Sequence, residues 1–380
     1  MRRTLYQDDH EAFRQTVRTF FANEVLPNYS SWENAGQPPR SFWRQAGELG
    51  ILGLQVPEQY GGGGAETFKF NAITTEECQF AGAALGGLRL HIDICMPYFL
   101  KYCSAEQRGR WLPGLVSGSL VSAIAMSEPG VGSDLRGIST RAIRDGEYYV
   151  VNGAKTFISN GHTADLIITV VKTDPSAHRS GFSLLVIENQ MPGFERGRRM
   201  EKIGLKAQDL AELSFTDVRV PIDNLLGEEG RGYEYLTSNL AQERLSIAIN
   251  SQAAAANALS RTVDYVRHRE AFGTTIGSFQ NTKFELASCA TKIEAGQCLI
   301  DRAIEALDSE DLNEADAAKV KLFCTELQGE VIDRCLQLHG GYGYILEYPI
   351  ARAYADARVS RIYGGSSEVM KIIISKSIGL

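Results

Sequence analysis

The sequence predicts an α+β multidomain fold: an N-terminal helical domain over residues 1–120, a middle antiparallel β-barrel or sheet domain over 121–229, and a C-terminal helical bundle domain over 230–380. Three observations carry this. Apolar residues before position 120 recur at three- and four-residue steps, the helical period. Between 121 and 226 the pattern changes to short β-branched and aromatic runs punctuated by turn dipeptides. Beyond Gly230 the helical period returns in runs well beyond the length of an average helix.

In the first zone Phe13, Val17, Phe20, Phe21 and Val25 form one apolar stripe, which Pro27 ends. Gln59-Tyr-Gly-Gly-Gly-Gly-Ala65 cannot be helix interior, because consecutive glycines lose the most backbone entropy on ordering. It lacks the Lys-Ser/Thr ending of a P-loop and the Rossmann spacing, and reads as a flexible surface loop. Ser104-Ala-Glu-Gln107 has the form of a capping box opening the helix that carries Trp111 and Leu112.

In the second zone the candidate strands are 147–152, 166–171, 181–187 and 211–218, with Asp145-Gly and Asn152-Gly as turn signals. No helix-length pattern intervenes, so an antiparallel arrangement is expected rather than a doubly wound one. In the third zone 235–267, 279–307 and 313–338 read as long helices, and small residues in the first and third permit close packing.

Composition excludes several functions. At 44% hydrophobic residues the chain can bury a large core. Its 39 basic and 46 acidic residues are interleaved and give a net charge of −7, so no nucleic-acid partner is expected. The cysteines at 78, 95, 103, 289, 298, 324 and 335 show no CxxC spacing, and His339 follows a helical pattern. Buried thiols in a reducing compartment are expected, with no metal site. There is no apolar run long enough for a membrane span and no secretion signal at the N-terminus. The expected location is the cytoplasm, or an organelle matrix for a mature processed chain.

Five ordered motifs carry the functional reading. Ile124-Ala-Met-Ser-Glu-Pro-Gly-Val-Gly-Ser-Asp134 ends a strand in a glycine turn that lets backbone approach a ligand, with Ser127 and Ser133 offering hydroxyls. Lys155-Thr-Phe-Ile-Ser-Asn-Gly161, Arg269-Glu-Ala-Phe-Gly273 with Gln280, Gln337-Leu-His-Gly-Gly-Tyr-Gly343 and Tyr363-Gly-Gly-Ser-Ser-Glu368 follow. In order and spacing this set strongly resembles the acyl-CoA dehydrogenase family, over nearly the whole chain.

The resemblance implies FAD, a three-domain fold ending in a four-helix bundle, and a homotetramer. It implies flavin contacts from Ile124, Met126, Ser127, Gly132, Ser133, Phe157 and Ser159, and from Arg269, Phe272, Gln280, Gln337, Gly341, Ser366 and Glu368, several of them reaching a neighbouring subunit's flavin. Taken alone, Phe157 reads as core and Arg269 as a solvated charge. A flavin's flat face nonetheless suits an aromatic neighbour, and its pyrophosphate a cation or backbone N–H groups.

In most of the family a carboxylate at the position of Gly364 takes the α-proton while the β-hydrogen leaves as hydride to flavin N5. This chain has glycine there. The long-chain and isovaleryl branch instead resembles this chain in carrying a glutamate before an arginine on the long helix, here Glu243-Arg244 in Leu240-Ala-Gln-Glu-Arg-Leu245. Lys202-Ile-Gly-Leu-Lys-Ala-Gln-Asp-Leu-Ala-Glu-Leu213 resembles the long-chain branch in particular.

The implied roles are therefore Glu243 as catalytic base, Gly364 as a carbonyl-binding N–H that also widens the pocket, and Ser133, Arg244 and Gly364 as substrate contacts. Burial is expected to raise the Glu243 pKa. The implied reaction is α,β-dehydrogenation of a fatty acyl-CoA to trans-2-enoyl-CoA, with electron-transfer flavoprotein as acceptor. Alternatives are an acyl-carrier-protein thioester as substrate, an oxygen-using flavoenzyme on the same fold, and a flavin-binding relative without catalysis.

Overall fold

The computed structural model describes residues 2–177 and 181–380. Seven helices come first: α1 Asp8–Phe20, α2 Tyr29–Ala35, α3 Arg40–Glu48, α4 Lys69–Ala81, α5 Gly86–Arg89, α6 Met96–Tyr102 and α7 Ala105–Ser117. Asp8, Asp9 and Glu11 in the first turn of α1 complement the positive end of its dipole, while Val17 and Phe20 pack with Trp32, Phe42 and Trp43. The expected capping box opens α7: Ser104 Oγ accepts from the Gln107 N–H at 3.2 Å, and Gln107 Oε1 accepts from the Ser104 N–H at 2.9 Å. Gln107 Nε2 also donates to the carbonyls of Asp223 and Leu225, tying this helix to the end of the sheet.

The four-glycine segment is a loop, but a tightly held one rather than the flexible loop expected. Gly63, Gly64 and Ala65 donate backbone hydrogen bonds to Gly53, Val56 and Leu54, and a Cβ on Gly62 would collide with the Val56 carbonyl. Glycine is needed for close approach, which composition alone cannot distinguish from mobility.

The sheet comprises β1 Ser122–Ala125, β2 Arg141–Asp145, β3 Tyr148–Ser159, β4 Leu166–Lys172, β5 Phe182–Glu188, β6 Phe194–Arg199, β7 Leu210–Pro221 and β8 Leu225–Leu226. Its order is β6-β7-β3-β2-β4-β5-β8, with β1 also pairing β4. It is mixed, not antiparallel as expected, because β1 and β2 both run parallel to β4. Turn dipeptides report only local hairpins, whereas β4 is paired by strands distant in sequence. Leu166, Ile168 and Val170 of β4 pack with the helical residues Phe99, Trp111 and Leu115, while Ile167 and Val171 pack with Phe215 and Val218. A strand buried on both faces reads as one continuous apolar run.

The last third holds α8 Gly232–His268, α9 Gln280–Asp308, α10 Glu314–His339, α11 Pro349–Ala357 and α12 Ser367–Ser377. Leu245, Ala248 and Ile249 of α8 pack against Ile300 and Ile304 of α9 and Val320 and Cys324 of α10. Asn250 and Asn257 of α8 bond to Gln79 of α4, so α8 spans from bundle to N-terminal helices. All seven cysteines are free thiols, and only Cys298 is exposed. Among the described residues no His/Cys/Asp/Glu group could hold a metal, and no helix is long and apolar enough to cross a membrane.

Candidate active site

Glu243 lies on α8 with 7% of its surface exposed, and its Oε2 has no hydrogen-bond partner. Burial pushes its pKa above the usual carboxylate range, while the charges of Arg89, Arg244 and Lys321 pull it back. Gly364 is adjacent: a Cβ placed there would stand 3.7 Å from Glu243 Oε1 and would collide with Ile247 Cδ1. The missing side chain therefore does not leave the open pocket width expected, because Ile247 occupies that space. Gly364 has φ +63°, a conformation that also favours glycine.

The turn around Gly364 is fixed from three sides. Lys321 of α10, fully buried, donates from Nζ to the Gly365 carbonyl at 2.7 Å. Arg89 donates to the Tyr363 hydroxyl at 3.1 Å, and Ser366 caps α12 by accepting from Val369 N–H. Burial, then the charge of Arg244, lowers the Lys321 pKa to about 8. Arg244, the next residue of α8, is buried and donates to Glu314 at 3.2 Å; its Nε is unpartnered.

A second wall comes from the loop after β1. Ser127, Gly132 and Ser133 are partly or fully exposed, with open space around Gly132. Lys155, fully buried, donates to the Met126 carbonyl and to Glu128 Oε1, each at 3.0 Å, and Glu128 also accepts from Ser139 and Thr140. Burial lowers the Lys155 pKa to about 8. The cost of burying Glu128 is overcome by the bonds from Ser139, Thr140 and Lys155, which take it down to about 2. The pair clamps the loop to β3.

Two residues further along β3, the pairing with β7 shifts register between Lys155 and Ile158. Phe157 there has φ +58° and is 64% exposed, so the irregularity turns an aromatic face outward, as bulges do beside active sites. Ser159 accepts from Gln208 at 2.6 Å. The Ile124 side chain packs in the core, leaving only its backbone for a ligand.

The remaining expected contacts stand elsewhere. Arg269, Gln337 and Gly341 line one hollow of about 500 Å³ with Tyr265, His339 and Tyr342, and the Arg269 guanidinium lies 5.4 Å from the Tyr342 ring centroid. Phe272, 96% exposed, sits on the small hairpin of Glu270–Ala271 and Thr274–Thr275; Gln280 is exposed at the start of α9, and Glu368 in the first turn of α12. Along the continuous α8, at about 1.5 Å per residue, Glu243 and Arg269 are roughly 39 Å apart. One chain brings Glu243 and Gly364 together but does not bring Arg269, Gln337 and Gly341 to them.

Sequence reasoning missed Glu128, the role of Lys155, Ile247, Lys321, and the polar group of Arg89, Asp93 and Ser246. Arg89, His91 and Asp93 interrupt the apolar run 88–96, and charges inside such a run are the signal that could have flagged them.

An outward aromatic ring, a clamped glycine-serine loop and a basic hollow suit a flat cofactor with a pyrophosphate tail. On α8, away from that hollow, a buried carboxylate with an unbonded oxygen adds a group able to accept a proton, as a flavin-dependent oxidoreductase of this kind needs. The sequence patterns of the acyl-CoA dehydrogenase N-terminal, middle and C-terminal domains match residues 7–119, 123–218 and 230–379. The mitochondrial long-chain specific acyl-CoA dehydrogenase of Sus scrofa is 44% identical over 378 residues, covering 99% of this chain and 88% of that one. The mitochondrial isovaleryl-CoA dehydrogenase of Oryza sativa subsp. japonica is 33% identical, covering 98% and 92%. A crystal structure of an acyl-CoA dehydrogenase from Geobacillus kaustophilus superposes with TM-score 0.97 at 48% identity, covering 99% of each chain. The chain belongs to the acyl-CoA dehydrogenase family, whose members are FAD-dependent oxidoreductases of acyl-CoA thioesters.

Proposed function

We propose that Glu243 is the base that removes the α-proton of an acyl-CoA thioester, giving the trans-2-enoyl-CoA. The observation that carries this is a buried carboxylate with a free oxygen beside a turn that itself holds no carboxylate at Gly364. FAD, when bound, supplies the hydride acceptor for the β-hydrogen. An acyl chain that excludes water strengthens the effect of burial, so binding and activation of the base are coupled. The Gly364 N–H, held by the Lys321 bond to Gly365, stabilises charge developing on the thioester oxygen. The charges of Arg89, Arg244 and Lys321 oppose the rise that burial causes in the Glu243 pKa.

Phe157, Met126, Ser127, Gly132, Ser133 and Ser159 hold the flavin ring and its chain on one protomer, with Ser366 and Glu368 beside them; Ser133 also contacts substrate. Arg269, Phe272, Gln280, Gln337 and Gly341 hold the pyrophosphate and adenosine of a neighbouring protomer's FAD. The separation along α8 and the exposure of these side chains support a homotetramer in which each site is shared. The electron acceptor is an electron-transfer flavoprotein, in the cytoplasm or an organelle matrix.

Anaerobic mixing of the flavin-loaded protein with straight, branched and substituted acyl-CoAs tests the reading. Rapid bleaching of the yellow flavin by at least one thioester is expected. No bleaching by any of them would contradict it, and oxygen uptake during turnover would point to an oxidase instead.

A further inference from the structure

The Ser159 hydroxyl, proposed above as a flavin contact, is not free to point in any direction. Gln208 Nε2 donates to Ser159 Oγ at 2.6 Å. A serine hydroxyl has one hydrogen and two lone pairs, so an oxygen that accepts from Gln208 keeps its own hydrogen for another acceptor. Among the described residues Ser159 Oγ donates to none. Ile158 is buried in the core of the sheet, while Phe157 before it is exposed and Ser159 after it is half-buried. Ring and hydroxyl therefore share the outward face of β3.

Which way the Gln208 carboxamide faces follows from what stands on its other side. Gln208 is buried, and its Oε1 makes no hydrogen bond but lies against Gly86, where a Cβ would collide with it. Gly86 opens the helical run that α5 begins and that continues without a break through α6. Backbone N–H groups and the positive end of the helix dipole face that first turn, which suits the amide oxygen and disfavours its NH2. The loop that carries Gln208 is itself held. Lys202 Nζ donates to the Gln208 carbonyl at 2.7 Å, Asp356 of α11 accepts from Leu205 N–H, and buried Asp209 accepts from the N–H groups of His162 and Thr163. Leu205 at φ +51° and Asn160 at φ +58° join Phe157 in left-handed backbone, and Asn160 is pinned by its Nδ2 to the Gly87 and Ser122 carbonyls. Costly conformations gathered around one pair of side chains mark a place whose shape is being enforced.

Resting on the flavin contact of Ser159 proposed above, we propose that Gln208 is a positioning residue for the cofactor. By donating to Ser159 Oγ it turns the hydrogen of that hydroxyl outward, so that Ser159 meets the flavin as a donor. Oxidised flavin carries ring nitrogens and carbonyl oxygens that accept along most of its polar edge. A hydroxyl already locked as a donor binds that edge without the cost of being ordered at the moment of binding. Gln208 acts through Ser159 alone.

A double-mutant cycle on the full chain with oxidised FAD tests this, using Ser159→Ala, Gln208→Met and the two together. Two quantities are read. One is the FAD dissociation constant, from flavin release on dilution of the loaded protein. The other is the position of the visible flavin absorption band, which responds to hydrogen bonds at the ring edge and not to a general loss of stability. Gln208→Met is expected to weaken FAD binding by about two- to tenfold, the range for one hydrogen bond, and to move the band in the same direction as Ser159→Ala. Once Ser159 is replaced by alanine, Gln208→Met should add nothing to either quantity. An unmoved band in Gln208→Met beside a moved one in Ser159→Ala overturns the proposal, as does an equal weakening by Gln208→Met with and without Ser159. Unchanged band and affinity in Ser159→Ala would instead remove Ser159 from the flavin, and the proposal with it. If Gln208→Met does not fold, Gln208→Glu takes its place in the cycle: it has the same shape, offers an acceptor in place of the donor, and must show the same dependence on Ser159.

Discussion

The neighbourhood of Glu243 and the neighbourhood of Arg269 lie on the same helix and differ in completeness. Around Glu243 the chain supplies its own walls: Ile247 fills the space beside Gly364, Lys321 holds the next carbonyl, and Arg89 and Ser366 fix either side. Around Arg269 it supplies one surface only, with Phe272 almost wholly exposed and Gln280, Gln337 and Gly341 open. The difference is the basis for proposing that a chain builds the first part alone and shares the second with a neighbour. Exposed apolar and basic groups clustered in this way mark an interaction surface.

The sharpest way to break the first half of the comparison is Glu243→Gln. Flavin content should be retained while substrate bleaching in anaerobic stopped flow falls by about 10²- to 10⁴-fold, the range for a lost acid–base group. Near-normal bleaching would remove Glu243 from the chemistry. On the second half, Arg269→Ala should weaken FAD retention by about tenfold or more through loss of a charge-assisted contact, measured as flavin absorbance per chain after dialysis. Loss of bleaching with full flavin content would place Arg269 in catalysis instead.

A smaller effect separates space from chemistry at the turn. Gly364→Ala must adopt a positive φ and displace Ile247, at a cost of about 1–3 kcal/mol, so the thermal midpoint should fall. Adding Ile247→Ala should relieve the collision but not the backbone strain, so partial recovery of acyl-CoA turnover is expected. Full recovery of stability as well would show that φ is not the constraint.

The smallest effect is electrostatic. Proton removal needs the Glu243 carboxylate, so the rate should fall as pH drops through its raised pKa, with the acid limb above pH 4.5. Lys321→Met removes one of the cations that oppose the rise and should move that limb to higher pH. A limb that does not move would leave Lys321 only its hydrogen bond to Gly365.

Much of this was legible in the sequence. The zones, the long helices and the Ser104 capping box follow from local periodicity and spacing. The resemblance gave Glu243 and Gly364 roles in one reaction, and the fold sets them side by side. The parallel pairing of β1 and β2 with β4 was not legible, because it joins strands far apart in the chain. Nor was the tight packing of Gly62 or the space taken by Ile247, since a glycine does not say what stands against it. Arg89 ends α5, Asp93 lies in the π-helical segment Leu90–Cys95 that follows, and Ser246 lies on α8, so only folding brings Ser246 to the other two.

The proposed contrast between a base region built by one chain and a cofactor cradle shared by two is tested most directly by complementation. Glu243→Gln and Arg269→Ala chains, carrying different tags, are co-expressed, purified through both tags, dialysed against flavin-free buffer and mixed anaerobically with substrate. The account predicts that hybrids retain more flavin than the Arg269→Ala parent and bleach more per chain than either parent, because an Arg269→Ala chain keeps Glu243 and borrows Arg269 from its neighbour. Hybrids with no more activity than the parents would contradict it, placing both residues in the service of the same chain's flavin.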